Sequence, residues 1–246
     1  MVLSRRKDYS MDDYVIVWDL ETVPDLAAVA RINGLPVTET SLVREALGEK
    51  FPKHLFHSIV CIGALIARRI TIPGPWEVVA LGAPHIGYRT EAELIAAFVA
   101  RIAELEPRLV TFNGNGFDLP VLRYRAMLHR IAAPGLSNRP YFHRYTDDAV
   151  DLCDVLSSFG RAKATLHEIS RMLGFAGKAS GVDGGQVEQL VGEGRIAEVA
   201  AYCQEDVVNT YRIWLLYELF CGRLSGWEYE ASEEVMWRRL TTDGAR

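Results

Sequence analysis

The first sustained apolar run of the chain is "YVIVWDLETVPDL", beginning at Tyr14. Tyr14 to Trp18 are all β-branched or aromatic, the pattern of a strand covered on both faces. "SIVCIGALIA" (Ser58 to Ala67) and "WEVVALGA" (from Trp76) repeat that pattern. Pro73, Gly74 and Pro75 between them are a turn signal, so the pair reads as a hairpin. "RLVTFN" is a fourth short apolar strand, and "DDAVDLCDVL" is a fifth that runs into a helix. Helical periodicity takes over elsewhere. Thr90 and Glu93 have capping-box spacing, and Leu94, Ile95, Phe98, Val99, Ile102 and Leu105 make one apolar stripe that Pro107 closes. "GFDLPVLRYRAMLHRI" starts another helix, and "TETSLVREALGEKF" is a helical part of the long connection from Pro24 to His57. The glycine-rich "GKASGVDGG" precedes a shorter helix, and the last strong helix runs from about Arg195 to Leu219. Strands come mostly early and helices are interleaved after the hairpin. The pattern predicts an α/β domain on a mixed sheet, not a uniform series of β-α-β units.

Composition narrows the class. With 246 residues, 49% of them hydrophobic and 24% charged, the chain is long enough for one sizeable core. A formal net charge of -5 excludes a basic nucleic-acid coat protein. Cys61, Cys153, Cys203 and Cys221 are scattered without Cys-x-x-Cys spacing, so neither a zinc site nor a disulfide framework is expected, and a reduced, cytoplasmic setting fits. "MVLSRRKDYSMDDY" carries basic residues with no apolar stretch after them, so it does not read as a signal peptide. No apolar run is long enough to span a bilayer, and no membrane partner is expected.

The chemistry begins where the first strand is expected to end. Asp19 and Glu21 alternate along an extended backbone, so both carboxylates leave one face. Two such charges repel and cost stability unless a cation lies between them. In "TFNGNGFDLP" the strand is expected to end at Asn113, Gly114 allows a sharp exit, and Asp118 opens the next helix. A carboxylate at a helix N-terminus is favourable in its own right. The Gly114-Asn115-Gly116 triplet lacks the third glycine of a dinucleotide loop, since Leu119 stands in its place. In "YCQEDVVNTY", Tyr202 and Asp206 are four apart and share a helical face, with Cys203, Val207 and Trp214 packing nearby. Taken singly, each feature has an ordinary structural reading.

Taken in order they have another. Asp-x-Glu after a strand, Asn-x-x-x-Phe-Asp opening a helix, and Tyr-x-x-x-Asp in a C-terminal helix resemble the DEDD superfamily of 3'-to-5' exonucleases, on the RNase H-like fold. "NGNGFDLPVL" resembles the second exonuclease motif of family B DNA polymerases. "DLCDVLSSFG", "LGFAGKASGVDGGQV" and "AAYCQEDVVNTYRIWL" are similar to a bacterial family of predicted exonucleases related to that proofreading domain. One branch of the superfamily has His five residues before the last Asp, where this chain has Ala201. The other has Tyr four before it, as in Tyr202. The resemblance covers about Tyr14 to Leu219. It divides the chain into a tail (1–13), an exonuclease domain (14–222) with an insertion at 24–57, and a C-terminal extension (223–246). That insertion is longer than the tight turn such proteins can have. It leaves directly from the catalytic strand and is expected to cover the site entrance.

The resemblance implies a mixed five-stranded sheet flanked by helices and a tetrad of Asp19, Glu21, Asp118 and Asp206. It also implies two divalent ions, Mg²⁺ or Mn²⁺, since the expected donors are hard oxygens. Asp19 is expected to bridge the ions as the residue ending the central strand. Glu21 and Asp206 would complete the nucleophile-side ion, Asp118 would hold the other, and Tyr202 would orient the attacking water. The implied partner is the 3' end of a single-stranded nucleic acid, DNA favoured. Thr22 and the Leu20 backbone are expected at the terminal nucleotide, and Asn113 at the sugar. Phe117 either stacks on a base or packs in the core. Arg161, Lys163 and Lys178 are either phosphate contacts or solvated surface. Asp151 and Asp154 read as structural, and His167 carries no chemistry. A degenerate nuclease acting only as a nucleic-acid-binding module is the alternative.

Overall fold

The structure is a computed structural model that describes residues 13–175 and 184–243. Five strands form one sheet: β1 (Asp13–Pro24), β2 (His57–Arg69), β3 (Glu77–Gly82), β4 (Arg108–Thr111) and β5 (Ala149–Asp151). Their order is β3-β2-β1-β4-β5. β1, β4 and β5 are parallel, whereas β2 is antiparallel to both β1 and β3. The hairpin expected around Pro73-Gly74-Pro75 is therefore β2–β3, and the sheet is the mixed one the pattern predicts.

Helices cover both faces. Even-numbered β1 residues Ile16, Trp18 and Leu20 pack with Leu94, Ile95, Phe98 and Ile102 of α3 (Glu91–Leu105) and Leu119 and Leu122 of α4 (Asp118–Leu128). Odd-numbered Val15 and Val17 face the other way, onto Val207, Tyr211 and Trp214 of α9 (Ile196–Phe220). This two-sided burial explains the uninterrupted apolar run. The capping box of Thr90 and Glu93 is formed, and α3 ends at Glu106 in a left-handed conformation before Pro107.

The connection after β1 contains α1 (Leu26–Asn33), α2 (Thr40–Leu47) and a short 3₁₀ turn at His54–Phe56. α1 and α2 share a small core of their own around Val29, Ala30 and Val43. The short helices α5 (Pro134–Ser137), α6 (Leu152–Leu156), α7 (Leu166–Met172) and α8 (Val187–Gly192) connect the larger elements. α10 (Gly226–Asp243) packs on β3 and α9, with Met236 and Ser232 fully buried and Arg69 paired to Glu228 beneath it. No helix among the described residues is long and apolar enough to cross a membrane.

Two boundaries differ from the sequence expectation. β1 does not end at Asp19 but runs to Pro24, because antiparallel pairing with β2 continues to Pro24↔His57, well past the last β4 pair at Val17↔Val110. β4 stops at Thr111, before Asn113. The sharp exit is made by Asn113, whose φ of 69° is left-handed. Gly114 serves close packing instead, since a Cβ there would sit 2.4 Å from Thr111 Oγ1.

Candidate active site

Asp19 and Glu21 continue the odd-numbered series of β1, so both carboxylates point toward α9. They lie beyond the point where β4 stops pairing, so no neighbouring strand covers that flank of β1. A register shift between Glu21 and Thr22 marks the end of the regular ladder. The N-terminus of α4 takes the place beside β1. There the Leu20 N–H donates to Asp118 Oδ1 at 3.2 Å. Leu20 and Asp118 are both buried. The Leu20 backbone, expected at a nucleotide, is thus engaged by Asp118.

The opposite wall is α9. Tyr202, Cys203 and Asp206 are all buried on the face it turns to β1 and β2. Gly63 of β2 makes this approach feasible, because a Cβ there would meet Cys203 Sγ at 2.6 Å. Cys203 Sγ lies 3.8 Å from Asp19 Oδ2. Asp19, Glu21 and Cys203 each offer a ligand atom within 4.8 Å of one another. The Tyr202 hydroxyl is hydrogen-bonded to the Asp206 side chain.

The electrostatics record crowded acids. Burial pushes the Asp19 carboxyl well above the usual carboxylate range, and the neighbouring charges of Asp118 and Asp206 add to it. Burial raises Asp118 to about 7, against the lowering effect of the Leu20 N–H. Tyr202 is pushed above the ordinary phenol range by burial and then by Asp206, Glu21 and Asp19, which keeps its proton on. The Cys203 thiol is raised by its hydrogen bond with Cys61 and by burial. It therefore sits behind Asp19 as a neutral thiol, and the hard donors are the carboxylates. Such a set fits divalent cations, whose charge would offset the repulsion that now raises Asp19.

Asp151 and Asp154 hold the loop that carries Asp118. Asp151 accepts from the backbone N–H groups of Asn113, Asn115, Cys153 and Asp154. Asp154 is paired with Arg144 at 2.8 Å and Lys163 at 2.9 Å. Lys163 is thus spent on an internal ion pair and is no candidate phosphate contact. Arg161 is exposed, and Lys178 lies outside the described residues. His167 is exposed on α7, although that helix packs against α9 through Ile169.

Asn113 is exposed, and Phe117 is half-buried. Phe117 packs on the α3–α4 core and meets the rings of Phe51, His54 and His57. Thr22 Oγ1 hydrogen-bonds His57 Nδ1 at 2.9 Å. Two neighbours of the site carry no signal in the sequence, His57 and Phe51, whereas Cys203 is placed near Tyr202 and Asp206 by its helical spacing.

A family described as "Predicted 3'-5' exonuclease related to the exonuclease domain of PolB" matches residues 49–245. The matched span includes Asp118, Tyr202 and Asp206 but begins after Asp19 and Glu21, whose place beside them is given by the fold. Among solved structures, the chain is similar to the family B DNA polymerase from the hyperthermophilic archaeon Pyrobaculum calidifontis. The TM-score is 0.57 at 18% identity, over 87% of this chain and 25% of that one. The chain thus spans about a quarter of that polymerase, and the likeness gives the fold, an RNase H-like one. No curated protein matches the sequence.

Proposed function

Because the chain belongs to the family of predicted 3'-5' exonucleases related to the exonuclease domain of PolB, we propose a more specific activity. The protein is a metal-dependent 3'-to-5' exonuclease of the tyrosine branch, releasing nucleoside 5'-monophosphates from single-stranded nucleic acid, DNA favoured. One observation carries this reading. Two carboxylates on β1, one at the start of α4 and a Tyr–Asp pair on α9 meet at the same end of the sheet, close enough for Asp118 and Asp206 to raise Asp19.

Asp19, Glu21 and Asp206 would hold one divalent ion, and Asp118 with Asp19 the second. Bound Mg²⁺ or Mn²⁺ would supply an activated water and offset charge on the attacked phosphate and leaving oxygen. The chain's own groups do the rest. Tyr202 keeps its proton and shares it with Asp206 in the free protein, so it is not a base; with Asp206 drawn onto a metal, its hydroxyl would turn to the attacking water and orient it. The Leu20 N–H fixes one Asp118 oxygen, and the other would serve the metal. Thr22, next in the chain to Glu21, and Asn113, at the exit from β4, would meet the terminal nucleotide and its sugar.

The deciding experiment is digestion of 3'- and 5'-labelled DNA and RNA, single-stranded and duplex, with Mg²⁺ or Mn²⁺. Stepwise loss from the 3' end is expected, with a 3'-phosphate blocking it. Cuts inside a circular single strand would rule the reading out.

A further inference from the structure

The connection from β1 to β2 places an aromatic side chain where no folding requirement explains it. Phe51 is 75% exposed and belongs to none of the hydrophobic clusters. A bare phenyl ring in water is unfavourable, and most of its surface is left unburied. Yet the ring is held in place. Its centroid lies 5.2 Å from that of His57 and 5.6 Å from that of Phe117. Those two rings meet edge to face at 4.9 Å, and His54 approaches Phe117 at 5.8 Å. Pro52 follows Phe51 and limits the backbone, and His57 Nε2 is 3.3 Å from the Pro52 carbonyl oxygen.

This array is tied to the catalytic elements on both sides. Phe117 is the residue before Asp118. His57 is hydrogen-bonded to Thr22, the residue after Glu21. An exposed aromatic face contributed by the insertion is therefore propped on residues that adjoin Glu21 and Asp118 in the chain. Its charge matches a polyanion. Lys50 and Lys53 flank Phe51, both are exposed, and neither has an ion-pair partner among the described residues. In a chain of net charge -5, the positive charge of this stretch is that of these two lysines, with Glu49 beside them, since His57 is buried. Aromatic rings alternating with cations are how single strands are held without reading sequence.

We infer that Phe51 is a substrate-positioning residue, a stacking surface for an unpaired base at the 3' end, propped by Phe117 and His57. The inference rests on the exonuclease reading and extends it to a residue outside the tetrad. Stacking is open only to a base that has left its partner, so Phe51 favours single-stranded or frayed ends.

The test compares Phe51→Ala and Phe51→Trp with the wild-type enzyme on single-stranded oligonucleotides, with the 3'-terminal base present or removed to an abasic site. Phe51→Ala should raise KM by about 5- to 150-fold, the equivalent of the roughly 1–3 kcal/mol that a base–aromatic stack contributes. The single-turnover rate at saturation should stay near wild type, and so should the thermal midpoint, because no core cluster loses an atom. Phe51→Trp should restore KM. On the abasic end, wild type and Phe51→Ala should be equal. An unchanged KM in an active Phe51→Ala enzyme, or a defect as large on the abasic end, would overturn the inference and leave the exonuclease reading standing. A wild-type protein that neither binds nor degrades single strands overturns both.

Discussion

The Leu20 N–H donates to the Asp118 carboxylate at 3.2 Å across 98 residues of sequence. It docks α4 on the flank of β1 that β4 leaves open, and it aims a carboxylate at Asp19. Asp118 thus has a structural task beside the chemical one proposed for it, and two substitutions separate them. Asp118→Asn keeps an acceptor for Leu20 and removes a charge that raises Asp19. Its thermal midpoint in EDTA should equal or exceed that of the wild type, while activity is lost. Asp118→Ala also orphans a buried N–H and should cost about 1–3 kcal/mol. Equal destabilisation by both variants would mean that the charge, not the hydrogen bond, stabilises this junction.

Removal of metal should act on stability as well as on rate. The acids around Asp19 repel one another in the free protein. A cation bound only by the folded state stabilises it by mass action. Mg²⁺ or Mn²⁺ should therefore raise the wild-type thermal midpoint and chelation should abolish activity. Asp19→Ala should be inactive and lose the midpoint shift. Full turnover in EDTA would dispose of the two-metal chemistry.

The fold was largely legible because its signals are local. Apolar runs, a Pro-Gly-Pro turn and a capping box each identify an element without reference to its neighbours. The residues proposed as the tetrad stand out in the sequence because Asp19–Glu21, Asp118 and Tyr202–Asp206 keep fixed spacings on their own elements. What stayed hidden depends on contacts between distant segments. The full length of β1 is set by its partner β2, which no pattern within β1 reports. The pairing of Lys163 with Asp154 and the assembly of Phe51, His57 and Phe117 likewise arise only on folding.

Acid should loosen the loop that carries Asp118. Hydrogen bonds from Arg144, joined by Lys163 and Asn115, hold the Asp154 carboxyl at about 2, although burial opposes them. A depressed carboxylate contributes stability above its unfolded value of 3.8 and loses it as pH falls toward 2. The contribution is about 1–2 kcal/mol, reduced because Arg144 is half-exposed. Urea midpoints from pH 6 to pH 2.5 should fall less steeply in Asp154→Asn than in the wild type. Parallel curves would remove Asp154 from the acid response.

Arg125 should govern how firmly the insertion sits on the domain. Its guanidinium is buried and pairs with Glu91 at the start of α3 at 2.5 Å and with Asp25, which caps α1. Glu91 in turn accepts from the Ile59 N–H at 2.6 Å, so β2, α1, α3 and α4 meet at one ion cluster. Arg125→Met keeps the stem and takes the guanidinium from two largely covered carboxylates, leaving Glu91 with His129 at 2.7 Å, which should cost about 3–5 kcal/mol. Arg125→Met with Glu91→Gln should recover part of that loss, because one orphaned charge is gone. If stability alone is at stake, KM for single strands will follow the folded fraction. If the cluster also sets the position of residues 51–57, KM will rise in the folded enzyme while the single-turnover rate at saturation holds. Urea unfolding and single-turnover kinetics on the same preparations distinguish these outcomes. A fully stable Arg125→Met protein would show that the insertion is held by the small core of α1 and α2 instead.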